Sequence, residues 1–129
     1  MEAISGTGTP SYLAQRAIGS GIQNILFADV RSVQDAEQCV RIVRSETPEN
    51  GGIYGYGMRR DGYYGREAGS SEYIKASNDA VVMLMIEKKG ALDNLEEILA
   101  VKGVDMVTFG YCDYAMSIGV PPQRRHPQC

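Results

Sequence analysis

The chain has 129 residues, with 13 basic and 16 acidic side chains and a formal net charge of −3. One domain spanning residues 1–129 is the expectation at this length, and a complete (β/α)8 barrel, at about 250 residues, exceeds it. The charge balance leaves no basic stripe with which to bind nucleic acid through counterion release.

No apolar run reaches the roughly 20 residues of a membrane span; the longest, residues 80–86, is strand-sized. The N-terminus lacks the charged and apolar regions of a signal peptide. Cys39, Cys112 and Cys129 show no CxxC spacing. That pattern argues against a disulfide framework or zinc site and favours a reducing cytoplasm.

In chain order, Thr9-Pro10 reads as an N-cap with proline at the first helical position. Leu13, Ala14, Ala17 and Ile18 follow at helical spacing, and Gly19 or Gly21 supplies the left-handed stop. Residues 24–30 form a short β-type run. Ser32 opens a second helix, with Asp35 as its capping-box partner. Val33, Ala36, Val40 and Val43 mark the buried face, with Cys39 beside it as a core residue.

Residues 46–69 are rich in Gly and Tyr, with Arg59, Arg60 and Arg66 nearby. A loop of this length is usually functional or disordered. Its tyrosines favour a substrate-facing or subunit-facing role for the part from Tyr54 to Arg66. The glycines do not match GxGxxG, and Gly6-Thr-Gly8 lacks the lysine of a P-loop.

A short helix over 71–78 leads to the strand 81–86, apolar on both faces as a covered parallel strand should be. Ala91, Leu92, Leu95, Ile98 and Leu99 then predict one further helix, which Gly103 stops. The last strand is 104–109. Strands alternating with helical crossovers argue for a parallel α/β architecture.

In such folds the strand C-termini carry the site. Glu87 follows one strand, and Asp113 lies just past the next. If these strands are neighbours, both carboxylates face one mouth, and oxygen ligands select a hard cation. Two simpler roles fit the same positions. Glu87 suits the positive end of a helix dipole, and Asp113 suits an N-cap for a helix through Ala115 and Met116.

The run Met85-Ile-Glu-Lys-Lys-Gly-Ala-Leu-Asp-Asn-Leu-Glu-Glu-Ile-Leu99, with Gly103-Val-Asp-Met-Val-Thr-Phe-Gly-Tyr-Cys-Asp-Tyr-Ala-Met-Ser-Ile-Gly119, resembles the HpcH/HpaI aldolase family. These are metal-dependent class II pyruvate aldolases related to citrate lyase β subunits. The resemblance extends over nearly the whole chain from about Pro10. It implies a partial (β/α)8 TIM barrel, about strands four to six, as the middle section of a longer enzyme.

It further implies Glu87 and Asp113 as ligands of a divalent metal (Mg²⁺, Mn²⁺ or Co²⁺). The backbone N–H groups of Gly110, Tyr111, Cys112 and Asp113 would hold the carboxylate of a 2-oxo acid. The implied reaction is lyase cleavage of a 4-hydroxy-2-oxo acid to pyruvate and an aldehyde, through a metal-stabilised enolate. The implied enzyme is a homo-oligomer.

Several family positions differ here. The family's keto-contacting Arg falls at about Ser5, its Asp at Gly19, its Gln at Met85 and its loop Pro at Tyr111. Its entrance His has no counterpart; the single His126 lies in the tail. No catalytic acid or base is therefore identified. The second reading is a truncated or degenerate, non-catalytic barrel fragment that binds metal or assembles with partner chains, since unpaired strand edges invite association.

Overall fold

A computed structural model of the protein describes residues 11–55 and 69–120. The expected N-cap at Thr9 and His126 lie outside these residues. The first helix, α1, runs Ser11–Gly19 and ends where Gly21 adopts φ +97°. Ala14 and Ile18 face the core as expected, but Leu13 is exposed.

Strand β1 (Ile25–Val30) leads into α2 (Val33–Val43). Ser32 caps α2 by accepting from the Asp35 N–H at 3.2 Å, and Asp35 Oδ2 accepts from the Arg31 N–H at 3.0 Å. This reciprocal arrangement satisfies two donors at the chain's entry to the helix. Ala36, Val40, Val43 and Cys39 are buried on its inner face.

After α2 the chain doubles back, and Ser45 and Tyr54 form an isolated parallel bridge. Gly52 is required there: a β-carbon would lie 1.9 Å from the Arg44 carbonyl oxygen. Tyr54 is a correction to the expectation of an outward-facing loop. Its ring is buried and stacks on Tyr73 at 6.4 Å between centroids. Burial raises the Tyr54 pKa above its ordinary value, against a hydrogen bond with Tyr73. Residues 56–68 of that loop lie outside the described residues.

Helix α3 (Ser71–Asn78) matches the expected span, with Ser70 as its N-cap. Strand β2 (Val82–Ile86) follows. The next crossover is two helices rather than one: α4 (Lys89–Asp93) and α5 (Leu95–Leu99). Asn94 breaks them at φ −115°, ψ 28°, and its side-chain amide donates to the Gly90 carbonyl at 2.8 Å. That local bond offers the backbone an alternative to continuing the helix. Strand β3 (Met106–Phe109) and helix α6 (Tyr111–Ser117) complete the described fold.

The three strands form one parallel sheet in the order β1-β2-β3. Helix α2 packs on β1 and β2, burying Phe27, Val82 and Leu84. At the N-terminal end of the strands, buried Arg44 donates to the carbonyls of Ala80 (2.6 Å) and Gly103 (3.1 Å) and to Asp105 Oδ2 (3.3 Å). Asp105 Oδ2 also accepts from the Val82 N–H at 2.8 Å. One guanidinium thus ties together the loops that enter β2 and β3. No helix among the described residues is long and apolar enough to cross a membrane.

Candidate active site

Of the two carboxylates singled out in the sequence, Glu87 directly follows β2, and Asp113 lies in the first turn of α6, just past the adjacent strand β3. The register Ile86↔Phe109 brings Glu87 and Gly110 level with each other. The Gly110 N–H donates to the Ile86 carbonyl at 2.9 Å, so it extends the sheet ladder. That bond takes the Gly110 N–H out of the expected substrate-carboxylate contacts, and the lack of a side chain lets Glu87 pack against the Gly110 backbone. A β-carbon there would lie 2.6 Å from Glu87 Cβ and 2.7 Å from Glu87 Oε2.

Glu87 is buried, and a buried carboxylate is costly unless it is hydrogen-bonded. Its Oε1 accepts from the Asp29 backbone N–H at 2.7 Å. Asp29 lies near the end of β1 with φ +58°. All three strands therefore converge on Glu87.

Around this carboxylate runs a line of alternating charges. Arg31 donates from one guanidinium nitrogen to both Asp29 carboxylate oxygens, at 2.8 and 2.9 Å. Lys88 Nζ lies 3.4 Å from Asp29 Oδ1 and 3.9 Å from Asp113 Oδ2. The Lys89 N–H donates to Ser117 Oγ at 3.2 Å, which joins the loop after β2 to the end of α6.

The simpler roles for the two carboxylates can now be compared with the geometry. Gly110, not Asp113, is the N-cap of α6. Asp113 sits in the first turn, half-exposed, where the helix dipole favours a negative charge. Lys88 occupies the N-cap position of α4 without a side-chain bond, and Glu87 precedes it. Tyr111 and Cys112 lie in the first turn of α6, next to its N-cap Gly110.

Among the described residues, no group of three or more His, Cys, Asp or Glu side chains could hold a metal ion. A hard cation does not need one. Mg²⁺ is commonly bound by one or two carboxylates with water or substrate completing its shell. Glu87 and Asp113 supply oxygen donors only. Glu87 Oε2 lies against Gly110, where a side chain would clash with it. The residues present therefore fit a hard divalent cation. Sequence reasoning missed Asp29, Arg31 and Lys88. The available signal was an aspartate inside a β-run, a residue type depleted from strands and tolerant of left-handed backbone.

Comparison with known proteins gives this geometry a family. The family model for HpcH/HpaI aldolase/citrate lyase matches residues 6–129. The chain belongs to the HpcH/HpaI aldolase/citrate lyase family. It is 33% identical over 117 residues to the 2-keto-3-deoxy-L-rhamnonate aldolase of Escherichia coli (strain K12), covering 90% of this chain and 42% of that protein.

A family protein from Burkholderia cenocepacia J2315 superposes with a TM-score of 0.78 at 30% identity, covering 92% of this chain and 46% of that one. An HpcH/HpaI aldolase from Desulfitobacterium hafniense DCB-2 gives 0.77 at 27% identity, with 93% and 45% covered. The chain thus spans less than half the length of these relatives. Its three-stranded parallel sheet with crossover helices is part of the family's (β/α)8 barrel.

Proposed function

We propose that this chain forms the metal-binding and carboxylate-binding side of a lyase site that cleaves a 4-hydroxy-2-oxo acid to pyruvate and an aldehyde. One observation carries the reading. Buried Glu87 is bonded through Oε1 to the Asp29 amide, while its Oε2 lies against Gly110, the N-cap of the helix that carries Asp113. Glu87 and Asp113 would hold Mg²⁺, Mn²⁺ or Co²⁺. When bound, the cation supplies Lewis-acid polarisation of a keto oxygen.

The chain's own groups orient the substrate. The N–H groups of Tyr111 and Cys112, in the first turn of α6, would receive its carboxylate. Lys88 neutralises Asp29 and approaches Asp113, which limits repulsion among the three carboxylates at the mouth. The 2-oxo acid class is supported by the name of the E. coli relative, a 2-keto-3-deoxy-L-rhamnonate aldolase.

Isothermal titration of the full chain with Mn²⁺, with and without pyruvate, tests the reading. The wild-type chain should bind, and Glu87→Gln and Asp113→Asn should each weaken binding by about tenfold or more. Absence of binding, or affinity unchanged in both variants, overturns it.

A second reading is favoured by the outer edge of β3. Met106 and Phe109 are each 52% exposed there. Among the described residues no strand pairs with that edge, and unpaired, apolar strand edges attract further strands. On this reading the chain binds metal or assembles with copies of itself or partner chains, and does not turn over alone. Sedimentation velocity would show a self-associating species without activity. A monodisperse monomer that cleaves a 4-hydroxy-2-oxo acid would refute it.

A further inference from the structure

We propose that Asp29 is a positioning residue for Glu87 and acts through its backbone. The inference rests on the reading of Glu87 as a metal ligand and adds the device that aims it. Between Phe27 and Val30 the β1–β2 register shifts: three steps along β1 match the two from Leu84 to Ile86. The extra residue forms a bulge, and bulges re-aim groups next to sites.

Asp29 lies in that bulge and is the non-glycine residue with positive φ among those described, at +58°. The left-handed conformation turns its N–H out of the ladder and onto Glu87 Oε1 at 2.7 Å. That length is in the charge-assisted range. With Oε1 engaged, Oε2 is the oxygen without that amide bond, and it lies against Gly110.

The residue type fits the task. Aspartate and asparagine tolerate left-handed backbone better than other side chains with a β-carbon. The Asp29 carboxylate is held away from a ligand's role by two cations: Arg31 grips both oxygens, and Lys88 lies 3.4 Å from Oδ1. These contacts anchor the side chain while the amide bonds Glu87. Asp29 thus gives Glu87 a fixed donor without adding a competing free carboxylate.

The test separates backbone from charge. Mn²⁺ titration of the full chain should give wild-type affinity for Asp29→Asn and Asp29→Gly, which keep the N–H and accept positive φ. Asp29→Val, which resists positive φ, should lose about tenfold or more. Amide hydrogen exchange gives a metal-free readout. The amide of residue 29 should be protected in the wild-type chain and Asp29→Asn, and exposed in Asp29→Val and Glu87→Ala.

If Asp29→Val does not fold, Asp29→Ala replaces it, with a smaller loss in the same direction. Valine or alanine variants that bind Mn²⁺ like the wild type overturn the proposal. So do asparagine and glycine variants that lose as much as valine, since the carboxylate would then be the active part. A wild-type chain that binds no Mn²⁺ overturns the metal reading itself, whatever residue 29 does.

Discussion

Strands β2 and β3 are hydrogen-bonded neighbours with similar sequences, yet they live in different environments. Leu84 and Val107 are register partners and share a face of the sheet. Leu84 is fully buried and Val107 is 39% exposed. The covering layer makes the difference. Helix α2 packs on β1 and β2, while β3 keeps Met106, Val107 and Phe109 accessible. An apolar residue type states what a position can bury, and the neighbouring element decides whether it does. The β1–β2 side is therefore the stable platform, and the β3–α6 side is a surface that carries half of the site.

This contrast is easiest to break in the core. Leu84→Ala should cost about 2–5 kcal/mol of unfolding free energy, measured by urea denaturation, because it opens a cavity under α2. Arg44→Met should cost about 3 kcal/mol, since it strands the carbonyls of Ala80 and Gly103 without their donor. Both effects belong to the platform and should leave a properly folded variant's surface chemistry unchanged.

A pH scan sharpens the same contrast. Burial, with Asp35 nearby, pushes the Cys39 thiol up to about 12 from 9.0. The unfolded chain then releases this proton first, so folded stability falls as pH rises from about 9 toward 12. The slope for one proton is about 1.4 kcal/mol per pH unit. Tyr54, also raised by burial, contributes with the same sign. Cys39→Ala should flatten the profile. At neutral pH a thiol reagent should label exposed Cys112 and spare Cys39 in the native chain, as mass spectrometry would show. The smallest effect is expected at the open edge. Phe109→Ser should cost about 1 kcal/mol, since the Phe109 ring packs against Tyr114 at 5.4 Å between centroids, while reducing any self-association seen by sedimentation.

Much of this division was legible before the structure. Helix α3 needs only Ser70 and a short amphipathic run, and its span is as expected. Alternation of helices and strands placed Glu87 directly after β2, as the structure has it, while Asp113, expected in the loop after β3, lies in the first turn of α6. What was not legible depended on contacts distant in sequence. Tyr54 read as a loop residue because its neighbours are glycines, yet Tyr73 gives its ring a buried partner. Asn94 split a periodic helix by a side-chain bond that hydrophobic spacing does not report. Asp29 was invisible as a site residue because its importance lies in a backbone angle and a bulge. Neither has a spacing pattern.

The in-phase pairing of β2 with β3 has a consequence for how such a site can vary. Glu87 and Gly110 are level because Met85 faces Thr108 and Ile86 faces Phe109, not because of the length of chain between them. Residues added within the α4–α5 crossover would be absorbed at the surface, where lengthening a loop costs little. A single residue added inside either strand would turn its following side chains to the opposite face. The ladder therefore acts as a ruler: the intervening helices are free to drift in length while Glu87 and Gly110, the N-cap of the helix that carries Asp113, keep their spacing.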